Sequence, residues 1–386
     1  MTDTVYLAAA ARTPVGSFQG SLANFTAPEL GAHAINAALQ QGSFASDEVD
    51  EVIIGNVVSA GLKQAPARQA MRQAELPDAV GATTVNKVCG SGMKATMLAT
   101  DLVKAGSANI VIAGGMESMS NAPYLLHKAR GGLRMGHTDL ADSLFLDGLE
   151  DAETGGSMGS FAQNTADEYQ LTREAMDAYA TESVVRARQA ISEGTLQAEI
   201  APMQVKGELI SDDEQPGRAK LDKIPSLRPA FKADGTITAA NSSSISDGAS
   251  ALVVTNEAGL NGRTPLARIV GHATHSIHPS QFTIAPVGAI NKLADKLDWD
   301  LAEVDLFEIN EAFAMVTMLT MQELGLPHDR VNISGGACAQ GHPIGSTGSR
   351  LIVTLAHALK RLGKRRGIAA LCIGGGEATA IALERD

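Results

Sequence analysis

The sequence repeats itself internally, and this repeat limits the possible folds more than any other feature. Four short segments of the first half recur in the second half, in the same order along the chain. The pairs are Ala27-Pro28 with Ala285-Pro286, Asp47–Asn56 with Leu301–Asn310, Val85-Asn86 with Val331-Asn332, and Ile110–Gly115 with Ala370–Gly375. Any single pair is short enough to arise by chance, but the shared order predicts a duplicated unit whose loops differ in length.

Each unit alternates strand and helix patterns. Residues Val52–Ser59 and Asn109–Gly115 are almost continuous apolar runs, which are typical of strands buried on both faces, and a further strand is predicted at Val5–Ala10. Helices are predicted at Ala27–Leu39 and Met93–Lys104, between these runs. Strands that alternate with helices in this way predict a parallel α/β sheet.

The middle of the chain has a different character. Residues 121–247 are richer in Gly, Pro and charge, and contain one clear helical pattern, Arg173–Ser192, before strand character resumes at Gly248–Thr255. Because long loops in compact proteins are usually functional, we interpret this part as an inserted loop domain that acts as a lid or binding surface. The predicted division is an N-terminal half of residues 1–118 and 248–262, an inserted domain of residues 119–247, and a C-terminal half of residues 263–386.

Charge and cysteine usage exclude several classes of partner. The 31 basic and 43 acidic residues give a net charge of −12, which argues against nucleic acid or an anionic membrane surface as the main partner. Residues Met1–Leu7 lack the basic segment of a secretory leader, and no apolar stretch is long enough to cross a bilayer. The cysteines, Cys89, Cys338 and Cys372, are odd in number and far apart, which suits a reducing compartment. We therefore expect a cytoplasmic protein.

Cys89 is the first candidate for chemistry. The β-branched run Thr83–Val88 favours a strand that ends at this cysteine, and Gly90 and Gly92 open the following helix. The positive end of the helix dipole favours the thiolate, which is the nucleophilic form of cysteine. The alternative is a buried structural cysteine in front of an ordinary helix.

The second half supplies possible partners for Cys89 at the ends of its own strands. Ligands of open α/β sheets bind outside the carboxyl ends of the strands, so the duplication would bring these ends face to face. His342 is a plausible base, Cys372 has a side chain suited to moving a proton near neutral pH, and Asn310 is an uncharged donor. The glycine amides after Cys372 could bind an anion. Alternatively, Asn310 is a strand-end cap and His342 a hydrogen-bonded corner histidine.

A metal site and a phosphate loop are weaker interpretations. Cys338 and His342 stand four residues apart, but closely paired Cys-x-x-Cys ligands are absent from the sequence, so we predict no metal and assign Cys338 to packing. Gly374–Gly376 is not followed by Gly-Lys-Ser/Thr, which argues against a phosphate loop.

At these residues the sequence resembles the thiolase family, and the resemblance extends through nearly the whole chain. The matching stretches are Asn86–Lys94, Gly114–Ser120, Asn310–Ala314, Gly335–Gly345 and Cys372–Gly376. The resemblance implies a duplicated five-layered α/β/α/β/α fold with a loop domain inserted in the first half. It also implies reversible Claisen condensation of acyl-CoA thioesters, or thiolysis of 3-ketoacyl-CoA, with the CoA thioesters as substrates and no cofactor.

The resemblance assigns a role to each candidate. Cys89 matches the acylated nucleophile, and His342 matches the base that activates it and, with a water held by Asn310, stabilises the thioester enolate. Cys372 matches the acid/base that removes the α-proton or protonates the enolate. The backbone amides of Cys89 and Gly374 would form a second oxyanion hole, for the tetrahedral intermediate.

Binding residues for CoA follow from the same resemblance. Arg218 and Lys220 match the region that meets the nucleotide end of CoA, although a solvated run of charge is the alternative there. Ser243 matches a serine that contacts the pantetheine arm. Met158 and Phe313 match positions that line the acyl end of the pocket.

Three departures from the family pattern bear on acyl-chain length. Ser157 replaces a histidine that short-chain biosynthetic members commonly carry, and Gln281–Pro286 lacks the Gly-x-Gly-Pro of many members while its Phe-x-x-Ala-Pro form resembles some acetoacetyl-CoA thiolases. Glu377-Ala378 stands where many members have x-Gly. We expect an acetyl-CoA acetyltransferase, and a broad or longer-chain degradative thiolase of β-oxidation stays open as the alternative.

Two interpretations from other classes are disfavoured. A decarboxylating ketoacyl synthase would be expected to use two histidines, and Asn310 and Cys372 argue against it. A non-catalytic acyl-CoA carrier would not need both cysteines, the histidine and the asparagine. The resemblance also implies a homo-oligomer, a dimer or a tetramer, because Met119–Leu149 resembles the region through which thiolase tetramers form.

Overall fold

The apolar runs of the sequence form the strands of one mixed sheet in the computed structural model, which describes residues 4–386. The prediction that no leader precedes the fold concerns in part residues 1–3, which lie outside the described range. The strands are β1 (Tyr6–Arg12), β2 (Gly16–Ser17), β3 (Glu51–Gly55), β4 (Gly81–Val85), β5 (Ile110–Ser118), β6 (Tyr124–Leu125), β7 (Ala141–Asp142), β8 (Met203–Val205), β9 (Glu208–Ile210), β10 (Ser246–Thr255), β11 (Ala267–Ser276), β12 (Leu306–Ile309), β13 (Arg366–Ile373) and β14 (Glu377–Glu384).

The helices begin where capping residues and glycines allow. At the first of them, the backbone N–H of Thr26 donates to the Glu29 carboxylate at 2.7 Å and Pro28 follows the cap, which are ordinary helix-start features. The helices are α1 (Ala27–Gly42), α2 (Pro66–Gln73), α3 (Ser91–Lys104), α4 (Ser143–Gly148), α5 (Met158–Glu168), α6 (Arg173–Ser192), α7 (Glu214–Arg218), α8 (Glu257–Leu260), α9 (Ala285–Leu297), α10 (Ala314–Leu324), α11 (Ala337–Gln340) and α12 (Thr347–Leu362). None of the helices within residues 4–386 is long and apolar enough to span a bilayer.

The strand order repeats, as the duplicated sequence predicts. The ten-stranded sheet runs β12-β13-β14-β11-β1-β10-β5-β3-β4, and β2 pairs with β10. In the first half β3 lies between β4 and β5, and in the second half β12 lies between β13 and a single parallel bridge at Val331. The two halves join where β1 pairs with β11 through Tyr6 and Leu7.

The prediction of a parallel sheet is only partly right. Strands β3, β4 and β5 are parallel, as are β12 and β13, but β10, β1, β14 and β11 run antiparallel to their neighbours. The three-residue turn Gly374–Gly376 joins β13 to β14, and a connection this short permits only an antiparallel pair.

The layers follow from the two faces of the strands. Alternate residues such as Val111 and Leu252 face a central core that also contains α3, α12 and strands of the second half. The residues between them, Ile112 and Val253, face α1 and α2. Helix α9 covers the outer face of the second half in the same way. The strands of the two halves thus lie on opposite sides of α3 and α12 and form two layers of the continuous sheet. The order helix, sheet, helix, sheet, helix confirms the five-layered fold.

The two central helices touch at their first turns. A Cβ added at Gly92 of α3 would lie 2.8 Å from the backbone N of Ser349, and one added at Gly348 of α12 would lie 2.5 Å from the backbone N of Met93. The contact is therefore reciprocal and needs glycine on both helices. It brings the corner before α3 and the corner before α12 together.

The corner before α3 is tighter than the sequence predicts. Strand β4 ends at Val85 and does not reach Cys89, and β3 ends at Gly55 rather than continuing to Ser59. Val88 adopts φ 46°, a left-handed conformation that β-branched residues rarely take, so its strand preference is overridden. The Ser91 hydroxyl closes the turn, accepting from the Lys87 N–H at 2.8 Å and donating to the Val88 carbonyl at 2.7 Å.

The segment between β5 and β10 contains more structure than the single helix predicted for it. It holds α4, α5, α6 and α7 and the short pairs β6–β7 and β8–β9. Apolar residues of α5 and α6 pack in one cluster with Phe313 and Cys372 of the second half. The segment therefore packs beside one of the candidate catalytic cysteines. The predicted division at residues 118, 247 and 262 stays a prediction.

A buried cluster of charges ties β1 to this segment. Arg12 donates to Glu199 at 2.7 Å and to both oxygens of Asp213 at 2.7 and 3.0 Å. All three side chains are at most 2% exposed. Charges this deeply buried are tolerated because each is paired.

Replacing Arg12 should destabilise the fold strongly. We expect Arg12→Ala to lower the free energy of unfolding by about 3–5 kcal/mol, because it leaves two buried carboxylates without their partner. Urea denaturation measures the loss. The matched control is Arg72→Ala, which breaks an exposed pair with Asp78 and should cost about 1 kcal/mol or less. Equal losses in the two variants would contradict this assignment.

Candidate active site

A cavity of about 240 Å³ lies where the two corners meet. Six of the residues predicted from sequence line its wall: Cys89, His342, Gly374, Ser243, Met158 and Phe313. Asn310, Cys372, Arg218 and Lys220 are not among its lining residues. The structure thus gathers most of the predicted site and places four members outside the wall.

Cys89 is half-buried at the start of α3. The backbone N–H of Gly374 and that of Cys89 itself face the sulfur and favour the thiolate, but burial outweighs them and raises the pKa of Cys89 to about 11. These N–H groups act in the predicted direction, but the net shift is upward because burial is the larger effect. Desolvation dominates, and the thiol is neutral at physiological pH until a base removes its proton.

His342 lines the same cavity as Cys89. Its ring Nδ1 lies 2.6 Å from the Thr347 hydroxyl, which itself donates to the Pro343 carbonyl at 3.0 Å. Because the hydroxyl has one proton, it accepts from Nδ1–H, and this network assigns the lone pair to Nε2. Nε2 is buried and has no hydrogen-bond partner within residues 4–386. Burial, reinforced by Arg350, lowers the pKa of His342 to about 3, so the imidazole is neutral.

Cys372 lies close behind the cavity wall. It is fully buried near the end of β13, and it packs in the cluster that contains Phe282 and Phe313. Burial raises the pKa of Cys372 well above its ordinary value, and the neighbouring Cys89 raises it further. The effect of Cys89 on the pKa of Cys372 indicates that the two sulfurs, which come from different halves, lie near each other.

Asn310 directly follows β12, the strand beside β13. Its backbone N–H donates to the Ala370 carbonyl at 3.0 Å, which fixes it next to the strand that carries Cys372. The side chain is fully buried, and neither its Nδ2 nor its Oδ1 has a hydrogen-bond partner in the described part of the chain. Such orphaned polar atoms are rare and call for a functional explanation.

The two basic residues predicted to meet CoA lie on the surface. Arg218 pairs with Glu214 at 3.0 Å on the short helix α7, and its side chain is 58% exposed. Lys220 is exposed two residues later. Their role in CoA binding stays a prediction.

Two buried glutamates that the sequence analysis missed hold the motif loops. Glu117 accepts N–H groups from Val57 at 3.0 Å, from Val58 at 3.2 Å and from Gly345 at 3.0 Å, so it binds the histidine turn to the first half. These donors lower the pKa of Glu117, but burial has the larger effect and raises the pKa to about 8. Its position inside the family-matching stretch Gly114–Ser120 is the sequence feature that could have identified it.

Glu311 does the same beneath Asn310. Its carboxylate accepts from the Tyr179 hydroxyl at 2.9 Å, the Ser183 hydroxyl at 2.8 Å and the Asn332 amide at 2.8 Å. It also accepts the backbone N–H of Cys338 at 3.1 Å, and the Cys338 side chain packs in an apolar cluster with Phe313 and Cys372. Among the described residues, no group of three or more His, Cys, Asp or Glu is arranged to hold a metal ion.

The acyl end of the cavity has an aromatic wall that was only partly predicted. Phe231 lies edge-on to Phe313 with ring centroids 6.2 Å apart, and Phe282 lies edge-on to Phe313 at 6.5 Å. The Phe231 ring sits on Gly159, where an added Cβ would lie 2.1 Å from it. Only the fold brings these segments together, so the position of Phe231 in the cavity wall could not be predicted from the sequence.

Comparison with known proteins matches the whole chain. Residues 5–258 match the model described as "Thiolase, N-terminal domain", and residues 263–385 match "Thiolase, C-terminal domain". The chain belongs to the thiolase family. It is 47% identical to the acetyl-CoA acetyltransferase of Pseudomonas aeruginosa, covering 100% of both chains, and 46% identical to that of Escherichia coli, covering 98% of both.

Solved thiolase structures agree over the same length. The chain superposes on the Acat5 thiolase of Ascaris suum in complex with coenzyme A with a TM-score of 0.95 at 40% identity, covering 99% of this chain and 100% of that one. It superposes on human mitochondrial 3-ketoacyl-CoA thiolase in complex with CoA with a TM-score of 0.96 at 37% identity, covering 100% and 98%. The five-layered thiolase fold is thus confirmed independently.

The raised pKa of Cys89 predicts a pH dependence for its alkylation in this thiolase. With a pKa near 11, the thiolate fraction at neutral pH is small and grows about tenfold per pH unit. We expect the rate of iodoacetamide alkylation of Cys89, measured by peptide mass spectrometry on ligand-free enzyme, to rise continuously from pH 7 to about pH 10. The urea-unfolded chain is the control and should level off near the ordinary cysteine pKa. A plateau already at pH 7 in the folded enzyme would contradict the assignment.

Proposed function

We propose that this thiolase is an acetyl-CoA acetyltransferase that works through an acetyl-cysteine intermediate at Cys89. The observation that carries the proposal is the meeting of a half-buried thiol, a neutral imidazole with an available Nε2, and a second thiol at one small cavity. Relatives of 46–47% identity carry the name acetyl-CoA acetyltransferase, which supports the same activity.

In the proposed first half-reaction, Cys89 Sγ attacks the thioester carbonyl carbon of acetyl-CoA while its proton passes to His342 Nε2. The tetrahedral oxyanion would accept hydrogen bonds from the Cys89 and Gly374 backbone N–H groups, whose direction toward the sulfur supports this role. Collapse of the intermediate breaks the bond to the CoA sulfur, which leaves as the thiol with the proton from His342. The raised pKa of Cys89 makes the base necessary.

In the proposed second half-reaction, Cys372 first loses its proton to solvent, and its thiolate then removes an α-proton from a second acetyl-CoA and becomes the thiol again. The enolate oxygen would be stabilised by His342 and by a water held on Asn310, whose side-chain atoms have no other partner among the described residues. The enolate carbon attacks the acetyl carbonyl carbon, the bond to Cys89 breaks, acetoacetyl-CoA forms, and the released Cys89 thiolate takes a proton from solvent. Thiolysis is the same sequence in reverse.

Cysteine variants separate the two half-reactions. We expect Cys89→Ser to lower acetyl transfer by at least about a thousandfold, because a hydroxyl is a far weaker nucleophile. Cys372→Ala should still acquire an acetyl group on Cys89 from acetyl-CoA while forming no acetoacetyl-CoA. Intact-protein mass spectrometry and product assay measure the two steps.

The third cysteine provides the matched control. Cys338 is also buried, and Cys338→Ala should retain both acetylation and condensation. Active wild-type enzyme without an acetyl label on Cys89, or condensation by Cys372→Ala at the wild-type rate, would refute the assignment.

The wall of the cavity supports a short acyl group. Phe231, Phe282, Phe313 and Met158 line a cavity whose whole volume is about 240 Å³, below the roughly 300–1,000 Å³ of usual small-molecule pockets. The alternative, a longer-chain degradative thiolase, is supported by the likeness to the human mitochondrial enzyme at 37% identity.

A ladder of substrates decides between these activities. We expect kcat/KM for thiolysis to be highest with acetoacetyl-CoA and to fall by roughly tenfold or more at 3-ketohexanoyl-CoA, because added methylenes meet the aromatic wall. Rates that rise toward 3-ketodecanoyl-CoA would establish the longer-chain alternative instead.

Four further expectations belong to the same proposal. Ser243 binds the pantetheine arm, supported by its place in the cavity wall, and Arg218 and Lys220 bind the nucleotide end of CoA from the surface. The division into two halves and an inserted domain is supported by the repeated strand order. A cytoplasmic location is supported by three free cysteines.

Assembly into a dimer or tetramer is supported by exposed apolar side chains. Within Met119–Leu149 the large apolar residues with more than a third of their surface exposed are Tyr124, Leu126, Leu133, Met135, Leu140, Phe145 and Leu146. A concentration of apolar surface in one segment is typical of an interface. Light scattering would distinguish the two assemblies from a monomer.

A further inference from the structure

An ion pair crosses from the nucleophile corner to the glycine turn of the other half. Lys87 Nζ lies 2.5 Å from Glu377 Oε2, and the two residues are 290 positions apart in the sequence. The Lys87 side chain is 20% exposed and that of Glu377 is 31% exposed. Lys87 stands two residues before Cys89, and Glu377 stands three residues after Gly374.

Both members of the pair are fixed to the backbone around them. Glu377 begins β14, where it pairs with Ile373 on β13 and with Ser276 on β11, and its Oε1 accepts from the Ser276 hydroxyl at 3.2 Å. The Lys87 N–H donates to the Ser91 hydroxyl at the start of α3. The pair therefore joins two rigid parts of the backbone. It fixes the position of the turn before α3 relative to the turn before β14.

The corner that Lys87 belongs to needs such a support. Val88, between Lys87 and Cys89, has φ 46°, a strained conformation for a β-branched residue that persists only where its surroundings hold it. An apolar contact also crosses the halves at this corner: a Cβ added at Gly90 would lie 2.4 Å from Ile373 Cδ1. Apolar packing is non-directional, whereas an ion pair between two fixed residues restricts how the Cys89 corner is oriented relative to the Gly374 turn.

We propose that the Lys87–Glu377 pair is a positioning contact that holds the Gly374 N–H against the Cys89 sulfur and thereby sets the rate of acyl transfer. The inference rests on the proposed function, because it concerns the oxyanion site of that reaction. Lys87 lies within the family-matching stretch Asn86–Lys94, whereas Glu377 stands at a position that the x-Gly pattern of many members leaves open. Neither side chain lines the cavity, and the proposed role is to position the Gly374 N–H rather than to contact CoA.

The test is a double-mutant cycle of Glu377→Gln and Lys87→Met on the full-length enzyme. We expect each single variant to lower kcat about tenfold, less than the 10²–10³ lost when an oxyanion donor is removed, with KM for acetyl-CoA unchanged within about twofold. The double variant should also be about tenfold slower rather than about a hundredfold, because both changes break one contact. Lys87→Arg should retain most of the rate.

The matched control is the pair Arg263–Glu48, which is equally exposed, at 22% and 29%, and lies away from the cavity. Glu48→Gln should leave kcat unchanged. The rate of acetylation of Cys89 in a single turnover, measured by mass spectrometry on protein shown to be folded by circular dichroism, reports the positioning itself. It should fall with Glu377→Gln in parallel with kcat.

The outcomes separate the two proposals. Wild-type enzyme that acetylates Cys89, together with Glu377→Gln variants as fast as Glu48→Gln, would overturn the positioning role and leave the function intact. Losses that multiply in the double variant, or that appear in KM alone, would overturn it as well. Failure of the wild type to acetylate Cys89 would overturn the function first, and the positioning role with it.

Discussion

The reciprocal contact between Gly92 of α3 and Gly348 of α12 is the constraint on which the site depends. Each glycine lets the other helix approach to a distance that a Cβ would occupy, so the first turns of the two central helices lie against each other. Cys89 precedes one of these turns and His342 the other. A larger residue at either position would move the thiol away from the imidazole by roughly the width of a methyl group, even if every catalytic side chain were kept. The chemistry thus relies on two residues that have no side chain.

Burial gives this site its reactivity and also its cost. The same desolvation raises the pKa of Cys89 to about 11 and lowers that of His342 to about 3, so both groups are neutral in the free enzyme. The same shifts oppose proton transfer from the Cys89 thiol to the His342 imidazole, so in the free enzyme the proton stays on the sulfur. The buried atoms His342 Nε2 and both polar side-chain atoms of Asn310 lack partners among residues 4–386, and such groups are destabilising. Glu117 and Glu311 each accept several hydrogen bonds and fix the loops that carry His342 and Asn310.

Sequence reasoning succeeded where residue type and order carry the information. The four repeated segments predicted the duplicated strand order, and the motifs identified the residues that line the cavity, because strand ends and glycine corners are local features. It failed where tertiary contacts override local preference. Val88 favours a strand but turns left-handed, and Cys89 has a raised pKa although a helix begins beside it. Phe231 closes the acyl end from a segment with no periodic signal, so only the fold could place it.

The duplication also shows how equivalent positions acquire different tasks. Asn56 and Asn310 both follow the central strand of their half, and both are buried. The Asn56 amide nitrogen is occupied, donating to Glu117 at 2.7 Å and to the Met116 carbonyl at 3.2 Å, so it serves the structure of the first half. The second half has no carboxylate on the amide of Asn310, because its acidic residue, Glu311, points its hydrogen bonds to Tyr179, Ser183 and Asn332. In the first half the carboxylate lies on the neighbouring strand β5 and occupies the Asn56 amide, whereas in the second half it is the next residue and both polar side-chain atoms of Asn310 have no partner among residues 4–386.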